Sequence, residues 1–184
     1  MIAPSKTHSQ LDRYEARWFA VYTRYKREKL VRDQLAEKQI ETYLPLQKLT
    51  RTYTRKVRTV QLPLISCYVF VRITRDQYVQ VLETADVVHF VKFGNELIAI
   101  PDREIELMQR IVGGIPGIEA EPLTFLEGDE VEILGGQLTG IRGTLLKKRS
   151  ERNFVIELHG VGYALHMHVD PARLRKVRPQ GASS

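Results

Sequence analysis

Leu62-Pro63-Leu64-Ile65-Ser66-Cys67-Tyr68-Val69-Phe70-Val71-Arg72-Ile73 is the stretch on which the reading of this chain turns. After a proline turn it is almost continuously apolar, β-branched or aromatic. Such a run fits a strand covered on both faces, because an open face calls for polar alternation. A buried strand needs neighbours of its own kind. Arg17-Trp18-Phe19-Ala20-Val21-Tyr22-Thr23 and Val87-Val88-His89-Phe90-Val91-Lys92-Phe93 supply them. Amphipathic patterns between these segments complete an α/β sandwich in the first half.

Residues 24–39 form the first helical pattern, with Leu30, Val31 and Leu35 as its apolar stripe. Its other face is basic. Residues 40–60 alternate Thr, Tyr, Arg and Val, which predicts a hairpin. Arg51, Arg55, Lys56 and Arg58 lie there with no acid among them, so the arm is either a solvated edge or a nucleic-acid contact. Thr74 and Gln77 fit a capping box for a short helix to about Thr84. The strand at 87–93 turns at Gly94 and pairs back through 97–100. Pro101 stops it, and Asp102 and Glu104 open a third helix with Ile105, Met108, Ile111 and Val112 inward.

Residues 1–16 lack periodicity and read as a loose lead-in. Gly113-Gly114-Ile115-Pro116-Gly117 opens a linker over 113–123, so a first domain spans 17–112. A second, over 124–177, carries short strands broken by Gly136, Gly140, Gly143, Gly160 and Gly162, and a tail follows at 178–184. About 50 residues is near the lower limit for an independent core, so closure into a five-stranded barrel is expected. The fold class is therefore α+β: a sandwich with an antiparallel sheet, then a small barrel.

Charge is unevenly distributed along the 184 residues. The net is +7 over 1–100, −7 over 102–132 and +6 over 133–184. Two basic modules flank an acidic segment, and nucleic acid is the usual partner of a basic surface. No apolar run approaches the ~20 residues that span a bilayer. The start has no apolar core of a leader, so the expectation is a cytoplasmic protein without membrane contact. The lone Cys67 reads as a buried filler. No nucleophile–base set, phosphate loop or acid pair is visible, so neither enzymatic activity nor a cofactor is expected. His166, His168 and Asp170 share a strand face, the only spacing that hints at a metal, and exposed strand histidines are commoner.

Trp18-x-x-x-Tyr22, Pro63-x-x-x-x-Tyr68-Val69-Phe70-Val71, His89-Phe90-Val91-Lys92-Phe93-Gly94 and Ile100-Pro101-Asp102-x-Glu104-Ile105 occur in that order. With Gly136-Gln137-Leu138-Thr139-Gly140-Ile141-Arg142-Gly143, which looks like a KOW core, they resemble the NusG family of transcription elongation factors. The resemblance is closest to the RfaH-like and UpxY-like antiterminators. It implies an N-terminal domain of the NusG type and an SH3-like KOW barrel. It implies an apolar pocket for RNA polymerase formed by Tyr22, Ile65, Ser66, Tyr68, Phe93 and Ile105. It implies contacts to the non-template DNA strand from Arg24, Gln34 and Lys38. Ser66-Cys67 stands where the family has a Pro-Gly pair. Leu158-His159-Gly160-Val161 stands where NusG has an Ile-Phe-Gly-Arg type loop for a small-subunit ribosomal protein or Rho, so two interface anchors are missing. Lys147, Lys148, Arg149 and Arg152 offer an RNA contact instead. The alternatives are a general NusG-type factor and an RNA- or ribosome-binding KOW protein. RfaH-like second domains can also exist as a helical hairpin, but the β-branched, glycine-punctuated sequence here favours the barrel.

Overall fold

The computed structural model describes residues 9–53, 56–115, 117–124, 128–146 and 153–177. Its contacts divide the chain into two compact units, 1–46 with 65–106 and 47–64 with 107–184.

The first unit is built on a four-stranded antiparallel sheet. β1 (Arg17–Thr23) is followed by helix α1 (Glu28–Glu37) and the short β2 (Glu41–Tyr43). The basic arm, grouped with the second unit rather than the first, forms its own hairpin of β3 (Leu46–Tyr53) and β4 (Lys56–Pro63). β5 (Tyr68–Ile73), α2 (Tyr78–Leu82) and β6 (Val87–Phe90) complete the sheet, whose order is β2-β5-β1-β6. The apolar run that predicted one long strand is thus two elements. β4 ends at Pro63, and residues 64–67 turn before β5 begins. Leu64, Ile65 and Cys67 are buried in that turn, which is why its composition reads as strand.

One sheet face packs on the helices. Phe19 and Val21 of β1, Val69, Val71 and Ile73 of β5 and Phe90 of β6 meet Val31 and Leu35 of α1 and Val81 of α2. Each such side chain contributes about 1.5–3 kcal/mol when fully buried. Alternation then fixes what the other face carries: Trp18, Ala20 and Tyr22 on β1, Tyr68, Phe70 and Arg72 on β5. α1 starts at Glu28 rather than at 24, because Lys26 has φ 62° and leaves residues 24–27 as a turn. Gln39, at φ 58°, closes the other end. Residues 9–16, where a loose lead-in is predicted, are tied down: Gln10 N–H donates to Leu97 O at 2.9 Å, and Arg75 N–H donates to Asp12 O at 2.7 Å. Leu11 packs on the core. The predicted capping box of Thr74 and Gln77 is present, ahead of a 3-10 turn that leads into α2.

α3 (Asp102–Gly114) runs through Gly113 and Gly114, and residues 119–122 form β7 (Glu119–Pro122), so the stretch read as linker contains a helix end and a strand. In the second unit β7 joins β8 (Gly128–Ile133), β9 (Arg142–Leu146), β10 (Phe154–Leu158), β11 (Tyr163–Met167) and β12 (Leu174–Lys176). Among the described residues the sheet has six strands in the order β12-β8-β9-β10-β11-β7: the five expected over 124–177, joined by β7 from the stretch read as linker. It is strand-built, with no helical hairpin among the described residues. The three glycines assigned to a KOW core are required for two different reasons. Gly136 and Gly140 sit at φ 75° and 83°, where glycine is favoured. A Cβ on Gly143 would lie 2.4 Å from Val155 O and 2.6 Å from the Phe154 ring. Among the described residues no helix is long and apolar enough to cross a membrane.

Candidate protein and nucleic-acid contact surfaces

The sheet register assembles an aromatic row at one end of the first unit. Tyr22 lies opposite Tyr68 on β5 and opposite His89 on β6. Directly opposed pairs on one face are close enough to touch. The Tyr22 and Tyr68 rings meet edge to face at 5.8 Å, and the His89 ring stacks on Tyr22 at 5.3 Å with 6° between planes. The row ends the face that Trp18 and Phe70 bury further along. Here the covering stops: Tyr22 is 37% exposed, Tyr68 is half-buried and His89 is exposed. His89 Nδ1 lies 3.0 Å from Phe90 O, which places a proton on that nitrogen in the neutral ring.

The six residues assigned to a polymerase pocket divide by exposure. Tyr22, Ser66 and Phe93 are exposed and Tyr68 is partly so. Ile65 and Ile105, each 2% exposed, are sealed from solvent and cannot be part of such a surface. Phe93 sits on a tight turn closed by its own N–H to Glu96 O at 3.0 Å, with Gly94 at φ 63°. Ser66 tops the turn before β5. Cys67 there has φ 64°, a conformation that ordinarily favours glycine. Glu28, buried in the first turn of α1, accepts the Cys67 N–H at 2.7 Å and holds the turn in place. Tyr43 and Phe70 stack at 6.2 Å along the same face. Desolvation raises the Tyr43 phenol well above the ordinary tyrosine range, since its buried hydroxyl has no hydrogen-bond partner among the described residues.

The residues assigned to DNA are not equivalent either. Arg24 has a side chain 76% exposed, with its guanidinium 3.8 Å from Asp86; Arg27 lies 3.9 Å from the same carboxylate. The Lys38 ammonium instead donates to Gln80 O at 3.2 Å and Thr84 Oγ1 at 2.8 Å, tying α1 to the end of α2. Gln34 is half-buried, and its Oε1 is sealed from solvent without a hydrogen-bond partner among the described residues. Of the hairpin bases, Arg58 is exposed. Arg55 lies outside the described residues, as do Lys147, Lys148, Arg149 and Arg152. Arg51 and Lys56 belong to described strands whose side chains there are not described.

In the second unit, Gly136 lines a pocket of about 390 Å³ with Ile133, Leu138, Val169, Asp170 and Arg173. Arg110 of α3 donates to Gln137 O and Thr139 O in the glycine loop, at 3.2 and 3.1 Å. His166 lies 3.6 Å from Glu121 of β7, and His159 lies 3.2 Å from Glu157. Among the described residues no group of three His, Cys, Asp or Glu side chains is placed to hold a metal ion. Sequence reasoning missed His89, because only the β1–β6 register places it beside Tyr22.

Among known proteins, the family model described as "NusG: Transcription termination factor nusG" matches residues 16–109. No curated protein matches the chain in sequence. Among solved structures, that of "Domain interaction in Thermotoga maritima NusG" is similar at 20% identity, covering 89% of this chain and 98% of that one, with a TM-score of 0.53. A chain of the "MjSpt4:Spt5 complex conformation B" crystal structure matches at 19% identity, covering 90% of this chain and 99% of that one, with a TM-score of 0.31.

Proposed function

From the premise that the chain belongs to the NusG family, we propose that it is a non-enzymatic elongation factor of the specialised RfaH-like or UpxY-like antiterminator kind, working in the cytoplasm. It docks on RNA polymerase through the end of the sheet marked by Tyr22, Ser66 and Tyr68, with Phe93 on the turn after β6 and the sealed Ile65 and Ile105 serving the packing rather than the contact. It holds the non-template DNA strand beside the start of α1, where Arg24 presents its charge; Gln34 and Lys38, near the helix's other end, support that surface through packing, Lys38 by tying α1 to the end of α2. A bound factor that grips both enzyme and strand disfavours pausing by as much as it binds the moving state better than the paused one.

The observation that carries this reading is the partly uncovered Tyr68–Tyr22–His89 row. Aromatic side chains at a sheet end are the residue types that dominate protein interfaces, because they bury large area at small entropic cost. The specialised subtype draws support from the Ser66-Cys67 turn and from the Leu158-His159-Gly160-Val161 loop, which lacks the aromatic and arginine anchors of a ribosome- or Rho-docking barrel.

Pull-down of core RNA polymerase by the full chain tests the docking surface. Tyr22→Ala should weaken capture by at least about 2 kcal/mol, or roughly thirtyfold in affinity. Absence of polymerase from the wild-type pull-down would sink the reading.

A further inference from the structure

The turn between β1 and α1 exposes an aromatic ring among cations. Tyr25 is 68% exposed, more than any other large apolar or aromatic side chain of the described residues except Tyr14. Arg24 precedes it, and Lys26 and Arg27 follow. The counter-charge of both arginines is Asp86, at 3.8 and 3.9 Å, and it leaves both side chains more than half exposed. Glu28, the next acid in the chain, is buried and turned inward to Cys67. The turn therefore shows solvent three cations and one ring, beside the largely covered carboxylate of Asp86.

The backbone holds this arrangement at a cost. Lys26 sits at φ 62°, a left-handed conformation that a non-glycine residue adopts at roughly 1–2 kcal/mol. That conformation goes with the Lys26 ammonium lying 5.1 Å from the centre of the Tyr25 ring. A cation at this distance is attracted to the ring face and orients the ring. Strain kept at an exposed turn is a pointer to function rather than to packing.

We infer that Tyr25 is a stacking platform for one unstacked base of single-stranded DNA, with Arg24 and Arg27 holding the flanking phosphates. Proteins that bind single strands combine these two elements, a cationic track for the backbone and aromatic rings on which bases stack. Phosphate contacts position the strand, and the ring supplies the contact that needs a base. Arg24 in this arrangement is the residue already proposed to meet DNA, so the inference rests on that reading. It adds a base contact that charge alone cannot provide.

Fluorescence anisotropy with the full chain separates the two claims. The probes are a labelled dT 12-mer, a fully abasic 12-mer and an rU 12-mer at low salt. Tyr25→Ala should weaken binding to dT about tenfold, the mid-range for one stacked base. Tyr25→Phe should bind like wild type. On the abasic strand wild type and Tyr25→Ala should bind alike, because there is no base to stack. Arg24→Gln should weaken both DNA probes and flatten the salt dependence by about 0.7 in log–log slope. If wild type binds dT and Arg24→Gln weakens it, but Tyr25→Ala does not, the stacking inference is wrong while the DNA reading stands. An equal Tyr25→Ala loss on the abasic strand, or a loss confined to rU, also overturns it. Failure of wild type to bind dT at all removes both. Thermal melts of the variants check that each remains folded.

Discussion

The carboxylate of Glu28 accepts the backbone N–H of Cys67 at 2.7 Å, across 39 positions of sequence. Glu28 is 4% exposed, so this bond is made away from water. It joins the first turn of α1 to the turn from which β5 starts, and Thr23 N–H donates to Cys67 O at 2.8 Å from the other side. The rim of the proposed docking surface, Ser66 and Tyr68, thus hangs on a side chain that is itself buried.

Removing that acceptor should cost stability. Glu28→Ala leaves a buried N–H unsatisfied, a loss of about 1–3 kcal/mol. Glu28→Gln keeps an oxygen in place and should lose less than half as much. The midpoint of urea unfolding reads both. An alanine variant as stable as wild type would show that the turn does not depend on this bond.

Lys38 separates structure from DNA contact. Its ammonium caps the end of α2 through Gln80 O and Thr84 Oγ1. Lys38→Met keeps the aliphatic stem and deletes both bonds, so it should destabilise by about 1 kcal/mol. The same variant tested for dT binding should lose much less than Arg24→Gln does. A large binding loss with unchanged stability would reverse that order and make Lys38 a direct contact.

Asp12 should make the lead-in respond to pH. Its carboxylate accepts the N–H of Glu15 at 2.8 Å and of Tyr14 at 2.7 Å, and these bonds hold its pKa below the ordinary aspartate value. A depressed folded pKa stabilises above the unfolded value, about 3.9, and that contribution disappears as pH falls through the folded value. The Tyr14 and Glu15 amides should therefore exchange faster with solvent below about pH 4, beyond the intrinsic pH dependence. Asp12→Asn should abolish the transition, and its persistence in that variant would assign it elsewhere.

Much of this fold was legible because its strands are covered. Arg17–Thr23 and the start of α3 at Asp102 follow directly from apolar runs and a Pro-Asp stop. The run from Leu62 to Ile73 misled for the same reason, since its turn is buried and shows strand-like composition. Residues 119–122 are acidic and largely exposed, so nothing local marks them as a strand; β11 recruits them. Within the candidate surfaces, Tyr22 and Tyr68 could be placed on their strand faces from period two. That Ile65 and Ile105 are sealed, and that His89 stacks on Tyr22, depends on registers and packing between segments far apart in sequence. Such pairings leave no periodic trace.

The two kinds of glycine in the 136–143 segment should respond differently to one added methyl. Gly140 needs a positive φ, but a Cβ there would have nothing within 4 Å, so Gly140→Ala should cost about 1–2 kcal/mol. Gly143 has an ordinary φ but no room: its Cβ would meet Val155 O at 2.4 Å and the buried Phe154 ring at 2.6 Å. The carbonyl belongs to β10 where it pairs with β9, and the ring fills the core, so neither can yield without breaking the sheet. Gly143→Ala should therefore cost about 3 kcal/mol or more, beyond the usual range for overpacking by one methyl. Thermal unfolding of the full chain, followed by the β-sheet circular dichroism signal, ranks the two. A milder effect at Gly143 than at Gly140 would mean that β9 and β10 can part by an ångström at little cost.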